Sequence, residues 1–321
     1  MIITQTPLRI SFLGGNTDFH EYFLNYGGLV ISTTIDKHVY CILNKRNDDK
    51  IIVNYTSREE VDDVTSIDHD LVREALRLTG VTKGIEISFL ADIPTEGCGL
   101  GSSSAVTIGL LNALHTYLGQ SVSSKQLAEE AVKIEYGILK RPIGIQDQHA
   151  IAMGGLRAIE FNQIGEVFGR TIEMDPVQKE LFRRSLILFY TKITRKAESI
   201  LSSIDISEST PLLHQNKQLA KDGIEALLKG DIERFGSLLH TYWEVKKQLS
   251  DKISNYEIDK MYQLAIDAGA IGGKVIGAGG GGFLLVMADD NQDKVREALK
   301  GYQDLSFKFV DYGSRVIFNN G

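Results

Sequence analysis

The tightest constraint on this chain is a run from Pro94 to Ala105 that carries Gly97, Gly99 and Gly101, then Ser102, Ser103 and Ser104. A strand-like stretch, Ile85 to Phe89, precedes it. After it, Ala105, Ile108, Leu111, Leu114 and Leu118 recur at three- and four-residue steps, the mark of a helix that Gly119 ends. The glycines therefore occupy a strand-to-helix junction, where the backbone can bend sharply and approach a ligand without Cβ clashes. Free N–H groups at the helix start, with the positive end of its dipole, suit an anionic oxygen. A tight turn with a serine cap is the plainer alternative. The candidate anion-binding residues are Gly97, Cys98, Gly99, Leu100, Gly101, Ser102 and Ser103. The run is not a Walker A loop, because Ser102 and Ser103 stand where that motif requires Lys followed by Ser or Thr. Positive charge must then come from elsewhere, with Mg²⁺ and an arginine the natural sources.

Two other glycine-rich segments bear on the same question. Gly277 to Gly282 matches the letters of the dinucleotide pattern G-x-G-x-x-G, but that fingerprint must open a helix, and Phe283 to Met287 reads as a strand. A dehydrogenase is excluded on that ground. So long a glycine run carries a large backbone entropy, which implies that another segment or a ligand lies against it. Near the start, Arg9 sits within the apolar strand Leu8 to Leu13, ahead of Gly14 and Gly15. Buried arginine is uncommon unless paired, so Arg9 either makes an inter-strand ion pair or faces an active site.

A second helix opens at Ser123 with Gln126 as its capping-box partner and Leu127, Ala131, Ile134 and Ile138 as its apolar face. Glu135 lies on the flank of that face, either solvated or turned inward as a metal ligand. Asp147 follows among glycines and small apolar residues, a poor place for a purely solvated charge. It could orient or deprotonate a hydroxyl with Arg9 nearby, while His149 reads as a packing neighbour. Phosphoryl transfer depends on positioning and charge neutralisation, and Mg²⁺ takes few protein oxygens, so Ser103 plus Glu135 would suffice as its ligands.

A length of 321 residues suits two lobes sharing a cleft, with a boundary near residue 180. A formal charge of −7 argues against nucleic acid, and the basic pairs Lys45–Arg46, Arg183–Arg184 and Lys246–Lys247 read as solvated faces. Cys41 and Cys98 cannot build a disulfide framework, and no C-x-x-C stands ready for zinc. The first residues lack a signal-peptide layout, and no apolar run approaches the ~20 residues that span a bilayer. The expected setting is cytoplasmic and unanchored.

In this order and spacing, the three glycine-rich segments resemble those of the GHMP kinases, the family of galactokinase and of homoserine, mevalonate and phosphomevalonate kinases. The likeness covers essentially the whole chain. It implies an α+β, two-lobed fold, with a ribosomal S5 domain 2-like ATP-binding lobe over residues 1–180 and a ferredoxin-like lobe over residues 181–321. It also implies ATP and Mg²⁺: phosphates cradled by Gly97 to Ser103, the metal on Ser103 and Glu135, Asp147 as catalytic carboxylate with Arg9 as its partner, and Gly279 to Gly281 closing over the phosphates and substrate.

Within the family the likeness is greatest to the branch that phosphorylates the anomeric hydroxyl of heptose 7-phosphates, through Pro7 to Gly15, Thr34 to Lys37, Gly144 to Gln148 and Gly154 to Phe161. On that branch Gly15, Thr17, Asp18, Gly279 and Gly280 meet the sugar, and Arg195 or Lys192 meets the phosphate it already carries. Asn16 and Lys192 stand where glycine is usual, and Phe19 and His20 also depart from the usual residues. An anomeric kinase for unphosphorylated fucose, mannose or a uronic acid therefore stays open, as does a catalytically silent sugar and nucleotide sensor. The joint presence of Arg9, Ser103, Glu135 and Asp147 speaks against the sensor. The expected partner is a small sugar or sugar phosphate, not nucleic acid or membrane, with a homodimer left open.

Overall fold

The computed structural model describes residues 1–94 and 97–320, so Thr95 and Glu96 of the first glycine-rich run lie outside the described residues. In chain order the first elements are β1 (Ile2–Leu13), α1 (His20–Tyr26), β2 (Gly28–Lys45), β3 (Ile51–Asn54), β4 (Arg58–Val61), α2 (Asp70–Thr79) and β5 (Ile85–Ala91). Next come α3 (Ser102–Tyr117), α4 (Ser124–Val132), α5 (Gln146–Met153), β6 (Arg157–Phe161), β7 (Val167–Thr171) and α6 (Pro176–Arg184). The second lobe holds β8 (Leu186–Tyr190), α7 (Ala197–Leu201), α8 (Thr210–Lys229), α9 (Ile232–Lys247), α10 (Tyr256–Asp267), β9 (Gly272–Val275), β10 (Phe283–Met287), α11 (Gln292–Ala298) and β11 (Asp304–Leu305). Last are β12 (Phe309–Val310) and β13 (Arg315–Asn319).

A nine-stranded sheet is built around β2, whose β-branched residues suit a long pleated strand. β2 pairs antiparallel with β1 on one side and, successively along its length, with β6, β12 and β5. The second sheet, in the order β11-β8-β10-β9, is antiparallel. Residue 180 falls between the sheets, but β12 and β13, well past it, rejoin the first. An aromatic cluster binds the lobes: Phe12 of β1 lies 5.4 Å from Phe182 of α6 and 5.8 Å from Phe235 of α9. That packing carries α9 up to β1. Among the described residues no helix is long and apolar enough to cross a membrane.

Two local details position the site. Helix α3 is buried almost all round from Ser104 to His115. Its Gly109 lies so close to β1 that a Cβ there would fall 2.7 Å from Thr6 Oγ1. Helix α4 opens where expected, Ser123 Oγ accepting from Gln126 N–H at 3.1 Å, but the Gln126 side chain donates to Glu130 Oε1 at 2.8 Å in place of closing a capping box, and the chain then widens into a π-helical turn over Lys133–Ile138. Ile138 is 43% exposed and leaves the expected apolar face, whereas Glu135, 1% exposed, is turned inward. Such single π turns often re-aim a side chain at a functional site.

Candidate active site

The lobes enclose a cavity of about 1520 Å³. On its floor Arg9, from β1, donates from Nε to Asp147 Oδ1 at 2.7 Å and from Nη2 to Oδ2 at 2.6 Å. Asp147 occupies the first turn of α5. The third arm, Nη1, donates to Gly99 O at 2.6 Å, and the Arg9 backbone N–H donates to Leu100 O at 3.0 Å. One buried guanidinium thus locks the carboxylate and the glycine-rich run into a single frame, in the planar bidentate geometry that arginine favours.

Gly97, Cys98, Gly99, Gly101, Ser102 and Ser103 line the cavity, while Leu100 is packed beneath it. Gly99 has φ +78°, and a Cβ there would meet Ile276 O at 2.4 Å. A Cβ on Gly277 would in turn fall 2.8 Å from Gly99 Cα. The two glycine-rich segments lie directly against one another, which accounts for the long second run. Its members divide, however. Gly277 and Ala278 line the cavity, but Gly279 and Gly280 pack on the Lys252–Ile253 backbone, Gly280 N–H donating to Ile253 O at 2.7 Å.

At one end of the cavity Ser104 Oγ donates to Glu135 Oε2 at 3.2 Å, and Ser103 Oγ lies 3.5 Å from the same oxygen. Glu135 Oε1 is buried with no hydrogen-bond partner among the described residues. Burial pushes this carboxyl up to about 7, against the opposing charge of Arg141. Arg141 donates from Nη1 to Ser103 Oγ at 2.9 Å and from Nη2 to both carboxylate oxygens of Asp70 at 2.9 and 2.8 Å, and it pairs with Glu198 of α7 at 3.4 Å. Among the described residues no three His, Cys, Asp or Glu side chains gather as a metal cluster, so any cation here rests on Glu135 and the serine hydroxyls.

At the other end Asp18, 1% exposed, accepts from Gln146 N–H at 3.0 Å and from its side-chain amide at 3.1 Å, while Ser11 Oγ donates to Gln146 Oε1 at 2.7 Å. Burial, then the neighbouring Asp147 charge, raises Asp18 to about 6. A Cβ on Gly144 would fall 2.0 Å from Asp18 Oδ2, so only glycine leaves this carboxylate its place. Gly15, Asn16, Asp18 and Phe19 line the cavity. Thr17 does not; it is fully buried and donates to Gly14 O at 2.7 Å. Asn16 and Lys192, standing where glycine is usual, both keep a left-handed backbone with φ 71° and 62°. Lys192 points away from the cavity, to Gly301 O at 2.7 Å, so it is not a phosphate contact. Arg195 lies exposed at the rim and makes no ion pair among the described residues. His149 is a packing residue: burial holds it down to about 4, and its ring meets Phe161 edge-on.

Three cavity residues escape a reading of the sequence. Arg141 gives no pattern at all. Lys246, read as solvated, is 2% exposed, and Lys274 of β9 is 1% exposed. Lys246 donates to Gly277 O at 2.5 Å. Lys274 donates to Ser11 O and Phe12 O, both at 2.9 Å, with its ammonium 4.5 Å from the centre of the Tyr242 ring. A signal for Lys246 did exist: it follows Leu239, Tyr242 and Trp243 at helical spacing, on the buried face of α9.

The fold and this constellation define a small-molecule kinase of known lineage. The model of the GHMP kinase N-terminal domain matches residues 69–155, and that of the C-terminal domain matches residues 224–304. The chain belongs to the GHMP kinase family. It is 33% identical to the D-glycero-alpha-D-manno-heptose 7-phosphate kinase of Campylobacter jejuni, over 95% of this chain and 96% of that one. It is 27% identical to the L-fucokinase/L-fucose-1-P guanylyltransferase of Bacteroides fragilis, where 91% of this chain matches 35% of that longer protein. Among solved structures, a D-glycero-D-manno-heptose 1-phosphate kinase from Bacteroides thetaiotaomicron superposes with a TM-score of 0.83 at 26% identity, over 100% of both chains. The galactokinase of Lactococcus lactis complexed with galactose superposes at 0.75 and 21% identity over 98% of this chain and 94% of that one, a likeness of fold alone.

Proposed function

We propose that this kinase transfers the γ-phosphoryl group of ATP to the anomeric hydroxyl of a sugar phosphate, with D-glycero-α-D-manno-heptose 7-phosphate as substrate and the 1,7-bisphosphate as product. Its lobes then correspond to the ribosomal S5-like and ferredoxin-like halves of the family. The observation that carries the reading is the Arg9–Asp147 pair, joined by two hydrogen bonds of 2.7 and 2.6 Å and tied by Arg9 to Gly99 O at 2.6 Å. A fixed carboxylate beside a glycine-rich backbone is what an oriented hydroxyl and a terminal phosphate need. The acceptor oxygen attacks the γ-phosphorus and forms a new P–O bond. The bond from that phosphorus to the β,γ-bridging oxygen breaks, ADP leaves with its electron pair, and the hydroxyl proton passes to Asp147.

Glu135 and Ser103 would hold Mg²⁺: a buried carboxylate oxygen without a partner is the donor type that a hard cation takes. When bound, the ion supplies neutralisation of phosphate charge. Asp18 and the Gln146 amide recognise sugar hydroxyls. An acceptor that already bears a phosphate is supported by Arg195, which stands at the rim with no ion-pair partner among the described residues, and by the 33% identical relative.

An ATP-consumption screen over free and phosphorylated hexoses and heptoses, with the product read by phosphorus NMR, tests this. The expected result is turnover of the heptose 7-phosphate and a new phosphorus signal coupled to the anomeric proton. Faster turnover of free fucose or mannose would overturn the acceptor assignment. Sugar binding with no turnover of any acceptor would overturn the activity.

A further inference from the structure

The chemistry proposed above leaves one buried charge unused. Lys246 leaves the last turn of α9 and lines the cavity while only 2% exposed. Of its three N–H donors one is engaged, by Gly277 O at 2.5 Å, and among the described residues no carboxylate lies within ion-pair distance. Lys274 provides the contrast. Two backbone carbonyls and the Tyr242 ring satisfy it, so its work is to hold β9 against β1. Lys246 is instead an ammonium out of water with spare donors, facing Arg9 and Asp18 across the same cavity and crowded by burial and by the Arg9 charge, which hold it down to about 7. Burying such a group is unfavourable until an anion meets it. Its tether, Gly277, is packed on Gly99 of the phosphate-side backbone, so the ammonium stands at the phosphate side of the cavity rather than at its rim.

We propose that Lys246 is a second cation of the transfer site, donating to a non-bridging oxygen of the phosphoryl group as it passes from nucleotide to acceptor. The inference rests on the kinase reading and deepens it. The bonds made and broken are those given above, and Lys246 keeps its protons throughout. The same oxygen chemistry could come from the sugar's own phosphate, and kinetics separate the two sources.

In the full-length protein, Lys246→Met should lower kcat about 100-fold, the scale of removing one donor aimed at transition-state charge, with KM for the acceptor little changed. Lys246→Cys treated with 2-bromoethylamine, which rebuilds an ammonium at nearly the same reach, should regain most of the lost kcat. Wild-type protein is treated in parallel, because Cys98 lines the same cavity. Calorimetric titration needs no acceptor: wild type should bind Mg·AMP-PNP more tightly than Mg·ADP, and Lys246→Met should lose that preference. This arm reads the inference even if the sugar assignment fails. An unchanged kcat, a rise confined to KM for the sugar phosphate, an intact nucleotide preference, or a folded Lys246→Cys protein that aminoethylation does not revive would each overturn it.

Discussion

Asp147 and Glu135 line the same cavity and are both carboxylates on short helical turns, yet their surroundings are opposite. Asp147 has both oxygens taken by one guanidinium, so its direction is settled by the protein alone. Glu135 has one oxygen on serine hydroxyls and the other bare in a buried place. The first is fixed by a direct ion pair; the second keeps one oxygen without a hydrogen bond, with Arg141 and the Gln148 side chain as polar neighbours.

Substitutions can break that contrast. Asp147→Asn should lower kcat about 100-fold or more while Mg·AMP-PNP binding, followed by calorimetry, stays near wild type. Full turnover in that variant would remove Asp147 from the mechanism. Glu135→Gln should act differently, raising the Mg²⁺ concentration for half-maximal rate by about tenfold or more, with saturating metal restoring much of kcat. An unchanged metal titration would deny Glu135 its role. Arg195 is the cationic counterpart of that openness, so Arg195→Ala should raise KM for a phosphorylated sugar about tenfold, as expected for one charge-assisted contact, and leave KM for ATP alone. Equal effects on both would dissociate Arg195 from the sugar's phosphate.

The smallest effect concerns pH. Asp18 and Glu135 are raised from 3.8 to about 6 and from 4.5 to about 7, so between these values the folded protein binds more protons than the unfolded chain. Their contribution to the stability of the ligand-free protein should therefore fall as pH rises through that window, while His149, held down to about 4, contributes in the opposite sense below 6.5. Lys246, held from 10.5 down to about 7, acts in the opposite sense above neutrality, where the unfolded chain binds the extra proton and stability rises with pH. In melting curves, Glu135→Gln should remove part of the acid-side slope, a change of a few degrees at most. A slope identical in the variant would contradict the raised carboxyl.

The glycine-rich junction and the Arg9–Asp147 couple were legible in the sequence, because each breaks a local rule: glycines where a helix starts, or charges inside apolar runs; Glu135 stood open between a solvated and an inward position. Lys246 was not legible, since the adjacent Lys247 made the pair look like a solvated face. Adjacent helical residues diverge by about 100°, so one lysine of a pair can be buried while the other is wet. The π turn was also invisible, because nothing in Lys133 to Ile138 distinguishes an extra residue per turn from a regular helix. Gly279 and Gly280 show the reverse failure: a glycine run reads as ligand contact, while half of it serves the close approach of another backbone. Long-range partnership decides such cases, and spacing along the chain does not encode it.

Strand β13 lies along the outer edge of β1, with Asn319 opposite Ile2 and Phe318 opposite Ile3. Without β13 that flank offers a row of unsatisfied backbone groups to any passing strand. Trimming the polypeptide before Arg315 would therefore announce itself as self-association and poor yield, with the catalytic apparatus intact in whatever fraction remained dispersed.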